Sequence, residues 1–204
     1  MNISALILAA GFSSRMGRFK PLLPLGFGET TKQNVLERQI CLFQRPEIQE
    51  IRVVTGHRAE DIERIAGAMG VETVFNPDYA QGMFSSVTTG LDSLDDTCNA
   101  FFVMPVDIPL VTPATISLLL DAWRAKKPAV LYPGFQGKRG HPPLISMAIR
   151  DKILGWPGDQ GLRGALGGVE DLAMDVETQD RYILMDMDYP EEYEQIQFFL
   201  NSRE

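Results

Sequence analysis

Short apolar runs rich in β-branched and large side chains recur along the chain, at Ile3 to Ala9, Ile51 to Thr55, Val71 to Phe75, Ala100 to Met104 and Ala129 to Tyr132. Between them, Asn34 to Phe43, Ala59 to Ala68, Phe84 to Leu94 and Pro113 to Lys126 carry apolar residues at helical spacing. Alternation of the two periods reads as parallel βαβ units. Several runs are apolar throughout, as expected when helices cover both faces of a sheet. The expected fold is a doubly wound, Rossmann-like three-layer α/β/α sandwich with a mostly parallel sheet. Thr112-Pro113 reads as an N-cap followed by a proline in the first helical turn, so a helix starts just after "MPVDIPLV".

From about Gly134 the pattern loosens. "GFQGKRGHPPLI" is a Gly/Pro-rich basic loop entering a strand, and "GWPGDQGLRGALGG" reads as a second glycine-rich connection. "YPEEYEQIQFFL" opens a last helix. With 204 residues, 45% of them apolar, the chain suits one domain over 1–204, residues 130–190 being substrate-side insertions on the same sheet.

A net charge of −8 argues against non-specific nucleic-acid binding. No run approaches the roughly 20 apolar residues of a membrane span, and no signal peptide is recognisable, so a cytoplasmic setting without membrane contact is expected. Cys41 and Cys98 read as buried thiols. His57 and His141 lie far apart, which disfavours zinc chemistry, and His57 reads as a cap or surface residue.

An acidic protein that gathers Arg15, Arg18 and Lys20 just behind Ala9-Ala10-Gly11 calls for a local anion. In doubly wound sheets, ligands bind beyond the carboxyl ends of strands, where strand order reverses. Small residues let the main chain approach a ligand, N–H groups can hold phosphate oxygens, and Arg15 and Lys20 add charge-assisted contacts. The spacing is neither GxxxxGK[ST] nor GxGxxG, which argues against a P-loop and a dinucleotide fingerprint. Asp107, just past a strand end, could hold Mg²⁺ together with substrate phosphates. "LMDMDYPEEY" offers Asp186 or Asp188 as a second ligand, although Asp188 is equally placed to cap the helix that follows.

The stretch "LILAAGFSSRMGRFK" resembles the signature LAAGxSxRMGxxK of the MobA-like nucleotidyltransferases. "VVTGH", "NPDYAQGMFSSV", "GHPPLI" and "MDMDYPEEY" are similar to later blocks of the molybdenum cofactor cytidylyltransferase branch. The resemblance implies a nucleotide-diphospho-sugar transferase type of fold and a CTP site. Ala9, Ala10 and Gly11 would contact base and ribose, the stretch Asn76 to Ser86 would close over the nucleotide, and Leu8, Thr55, Asn76, Gln81, Gly82 and Ser86 would complete its site. Arg15 and Lys20 would grip the triphosphate. Asp107 and Asp188 would hold Mg²⁺, with Mn²⁺ also suitable, and Arg15, Lys20 and Asp107 would carry catalysis.

Lys138, Arg139, Gly140 and His141 would face the second substrate, molybdopterin-bound molybdenum, whose phosphate would attack CTP and release pyrophosphate. Transient contact with a molybdoenzyme or its maturation chaperone would follow. Two departures stand out: Val106 replaces the glycine usual before the metal aspartate, and Tyr189 replaces a threonine. Guanylyltransferases of the superfamily read LAGG, so the Ala10 methyl is expected to narrow the space beside the base and favour a pyrimidine. A molybdopterin guanylyltransferase, a sugar- or polyol-phosphate nucleotidyltransferase and a non-catalytic cofactor carrier remain as alternatives.

Overall fold

The computed structural model describes residues 2–26 and 33–201. In chain order the strands and helices are β1 (Ile3–Leu8), β2 (Pro24–Leu25), β3 (Gln33–Asn34), α1 (Val35–Phe43), β4 (Ile48–Thr55), α2 (Ala59–Ala68), β5 (Glu72–Phe75), α3 (Met83–Asp92), β6 (Ala100–Pro105) and α4 (Pro113–Lys126). There follow β7 (Val130–Phe135), β8 (Lys138–Arg139), β9 (Leu144–Ser146), α5 (Arg150–Leu154), α6 (Gly161–Gly167), β10 (Ala173–Glu177) and α7 (Pro190–Asn201). The expected alternation is present. One expectation is corrected: "GWPGDQGLRGALGG" is not wholly a connection, because residues 161–167 form α6. Its alanine and leucines supply an apolar face that the glycines obscure in the sequence.

The central sheet runs β10-β7-β9-β6-β1-β4-β5, with β8 attached to β7. β1 pairs in parallel with both β4 and β6. β9 is antiparallel to β6 and β7, so it inverts the sheet locally without ending it. The chain builds outward from β1 through β4 to β5, then returns to place β6 on the other side of β1. The crevice at β1 and β6 is therefore the switch point of a doubly wound sheet.

Alternation along β1 explains its unbroken apolar run. Ile3, Ala5 and Ile7 pack with α1, α2 and α4 on one face, whereas Leu6 and Leu8 pack with α3, α5 and α6 on the other. Both faces are thus covered. A third cluster, including Met16, Leu23, Val35, Leu110 and Ile196, docks α7 against the loop that follows β1.

The start of α4 departs from its expected form. Thr112 occupies the N-cap position but makes no side-chain cap bond. Asp180 instead accepts from the Thr112 N–H at 2.8 Å, the Thr112 hydroxyl at 2.8 Å and the Thr115 hydroxyl at 2.7 Å. A carboxylate distant in sequence does the work of the local cap. Cys98 is buried as expected, but Cys41 is exposed, lying on the outward face of α1.

Candidate active site

The loop after β1 is built to turn Lys20 inward. Ala9 N–H still bonds the Val54 carbonyl at 3.0 Å, and the Ala10 carbonyl accepts the His57 N–H at 3.0 Å, so sheet-like pairing continues to residue 10. The chain then leaves the sheet. Ser13 takes a left-handed φ of 57°, and its hydroxyl oxygen accepts the Lys20 N–H at 3.0 Å. Gly17, at φ 65°, supplies a second left-handed turn at no steric cost. Met16 is buried in the third core cluster and anchors the loop from below. The serine, methionine and glycine of the motif thus have structural roles, and only 7% of Lys20 remains exposed.

Lys20 meets two carboxylates. Its ammonium lies 2.6 Å from Asp188 Oδ1 and 3.5 Å from Asp107 Oδ2. Arg15, largely exposed, pairs with the other oxygen of Asp188. Burial pushes the Asp107 carboxyl above its usual value, with Lys20 opposing and the Asp188 charge reinforcing that shift. The Lys20 hydrogen bond holds Asp188 below its usual value. Asp188 does not cap α7; Glu192 accepts both the Asp188 and the Tyr189 N–H groups, at 2.6 and 2.9 Å. Asp186 is exposed and forms no ion pair among the described residues, so Asp188 is the partner brought to Asp107.

Val106 fits without strain. Its N–H continues the ladder by donating to the Leu8 carbonyl at 3.2 Å, and it is not among the described residues with left-handed backbone. Val106 and Asp107 occupy the turn that the Ile108 N–H closes on the Pro105 carbonyl at 3.3 Å.

A cavity of about 270 Å³ opens above β1 and β6, lined by Leu8, Ala10, Gly11, Lys20, Gly82, Ser86 and Asp107. A side chain built on Gly11 would meet nothing within 4 Å, so this position faces open space. Phe12, Ser13, Tyr79, Met83, Pro105 and Val106 also line it; Tyr79 and Met83 belong to the stretch "NPDYAQGMFSSV", whereas Phe12 holds a variable position of the loop motif. Ala9 and Thr55 are fully buried beside the cavity without lining it. Asn76 is also fully buried and already engaged: its amide donates to Ser85 and Ser86 at 2.9 and 3.0 Å and accepts the Asp78 N–H at 2.9 Å. It shapes the loop over residues 76–86. Gln81 is turned back to Asp78 at 2.7 Å, outside the cavity.

A larger cavity of about 1050 Å³ adjoins the first and shares Met83 and Pro105 with it. Arg139, Gly140 and His141 line it, whereas Lys138 is exposed and does not. Arg139 is tied to Asp175 and Glu170 at 2.6 and 2.7 Å and lies over the Tyr132 ring at 4.4 Å. Burial lowers the His141 imidazole below its ordinary value, against the pull of Asp107 and Asp186, and its buried Nδ1 has no hydrogen-bond partner. Trp156 and Arg163 complete the wall from the segment that read as a plain connection.

The loop, the buried cation with its two carboxylates and the second cavity lie together at the switch point of the sheet, where doubly wound folds bind their ligands. The chain belongs to the MobA-like NTP transferase domain family, whose model matches residues 5–174. It is 30% identical over 196 residues to the molybdenum cofactor cytidylyltransferase of Escherichia coli strain K12, covering 94% of this chain and 93% of that protein. Among solved structures it resembles a nucleotidyl transferase from Methanothermobacter, with a TM-score of 0.82, 23% identity and 99% of each chain covered. A Mycobacterium tuberculosis protein solved in complex with manganese matches at a TM-score of 0.74 and 20% identity, over 96% of this chain and 97% of that one. The likeness to these structures is one of fold. No helix among the described residues is long and apolar enough to cross a membrane.

Proposed function

We propose that this chain transfers CMP from CTP to the terminal phosphate of molybdopterin-bound molybdenum, forming the cytosine dinucleotide and pyrophosphate. The carrying observation is Lys20, buried at the small cavity and held between Asp107 and Asp188, beside a second cavity large enough for a further substrate. The similarity to the Escherichia coli cytidylyltransferase supports the choice of nucleotide and acceptor.

In this reading an acceptor phosphate oxygen forms a bond to the α-phosphorus as the α–β phosphoanhydride bond breaks, and pyrophosphate leaves with the electron pair. The acceptor is ionised at neutral pH, so no side chain need take its proton. The protein's part is alignment and charge balance. Lys20 and Arg15, already turned toward the carboxylates, would exchange Asp188 oxygens for phosphate oxygens. His141, kept neutral by burial, would present an uncharged imidazole to the acceptor.

Asp107 and Asp188 fit a hard divalent cation such as Mg²⁺ or Mn²⁺. They supply only oxygen donors, and with two carboxylates the rest of the shell falls to phosphates and water. The ion would neutralise charge on the phosphates.

The test is pyrophosphate release with CTP, GTP, UTP and ATP, each alone, with loaded cofactor, and with sugar or polyol phosphates in its place. Release that needs both CTP and cofactor is expected. Release driven by a sugar or polyol phosphate, or none with any nucleotide, overturns the proposal.

A further inference from the structure

Phe12 occupies a variable position of the loop motif, yet it is the loop's most conspicuous exposed apolar group. Its side chain is 49% exposed and lines the small cavity together with Tyr79 and Met83. An aromatic ring left half in water forfeits burial energy that a ligand could recover.

The ring is held in place from behind. Its centroid lies 5.1 Å from that of Tyr79, tilted by 51°, and 5.3 Å from His57, tilted by 41°. Such offsets are favourable aromatic geometries. His57 in turn meets Phe19 edge-on at 5.7 Å, and the Arg58 guanidinium sits 4.8 Å from the Phe19 centroid. Tyr79 is seated on Gly56, where an added Cβ would come within 2.6 Å of Tyr79 Cβ and 2.9 Å of the Ala10 methyl. Ala10, Gly56 and Tyr79 therefore pack as one layer, with Phe12 against it.

Sheet order sets the polarity of the cavity. Asp107 and Lys20 gather near β6 and β1, whereas His57 follows β4 and Tyr79 follows β5. At a spacing of ~4.8 Å per strand, β6 to β5 spans about 14 Å. A charged end and an aromatic end are thus set apart along one crevice.

We infer that Phe12 and Tyr79 form a stacking wall for the nucleobase of the donor nucleotide, an inference that rests on the nucleotidyl-transfer reading above. Every base has a π-face, so the wall adds affinity without selecting the base. Base choice is left to the narrower space beside Ala10.

Equilibrium binding of CTP, GTP, UTP, ATP and inorganic triphosphate to the parent chain, Phe12→Ala and Phe12→Trp tests this. Phe12→Ala is expected to weaken each nucleotide the parent binds by about 5- to 100-fold, by a similar factor for each. Inorganic triphosphate should change less than about twofold. Phe12→Trp should retain nucleotide binding, with indole emission quenched by nucleotide and not by triphosphate. Unchanged nucleotide affinity in Phe12→Ala, or equal loss of nucleotide and triphosphate, overturns the wall. A parent that prefers GTP, with the Phe12→Ala loss intact, overturns the cytidylyl reading and keeps the wall. A parent that binds no nucleotide overturns both.

Discussion

The ammonium of Lys20 hydrogen-bonds Asp188 at 2.6 Å across 168 residues of sequence, joining the first loop of the fold to the threshold of its last helix. Asp107 lies 3.5 Å from the same ammonium. One buried cation therefore keeps two carboxylates together that would otherwise repel.

Lys20→Ala removes that centre. Turnover is expected to fall by about 10²- to 10³-fold, as for other preorganised charge-stabilising groups. Two carboxylates left facing one another should also lower stability by about 1–3 kcal/mol. Pyrophosphate release and urea unfolding read the two effects; near-parental turnover would remove Lys20 from the mechanism.

Ala10→Gly bears on base choice. The Ala10 methyl lines the cavity and also supports the layer beneath Tyr79, so its removal widens the base end. The ratio of kcat/KM for GTP over CTP is expected to rise roughly 10-fold, in the range that one methyl can supply. An unchanged ratio assigns specificity elsewhere.

Asp180→Ala tests the remote cap of α4. The variant loses the acceptor of Thr112 and Thr115 and also of the Tyr182 N–H, bonded at 3.1 Å. A stability loss of about 2–4 kcal/mol is expected from leaving such buried donors unpaired. Asp180→Asn, which keeps an acceptor, should lose less in the same urea titration.

The pH dependence of stability should carry the mark of His141. Burial lowers its folded value below the ordinary 6.5, so the unfolded chain binds more protons in the interval between the two. Stability therefore rises with pH up to about 6.5 through this group, and the rise should be shallower in His141→Gln. Thermal melts from pH 5 to pH 8 check the sign; parallel profiles for the two proteins would refute it.

Much of this molecule was legible in local sequence. Unbroken apolar runs marked strands buried on both faces, and helical spacing placed α1, α2 and α4 within a residue of their observed bounds. Such patterns are readable because side-chain periodicity is set by the backbone geometry of each element alone. The motif after β1 was equally local: Ser13 and Gly17 turn the chain, Met16 anchors it and Lys20 is delivered at a fixed distance.

Other features depended on long-range packing. Residue type and spacing leave Asp186 and Asp188 alike, the resemblance favours Asp188, and the docking of α7 against the first loop is what turns Asp188 onto Lys20. Asn76 looked like a ligand contact, but burial commits its amide to Ser85 and Ser86. Asp180 replaced Thr112 as the cap of α4 because the fold brings a carboxylate from 68 residues away. Phe12, His57 and Tyr79 each lie in a recognisable stretch, but nothing local shows that they meet, since they come from loops after three different strands. Local sequence determines which element a segment forms and which chemical groups it carries. Strand order and burial decide which of those groups meet, because each contact depends on the register and packing of segments that share no neighbouring residues.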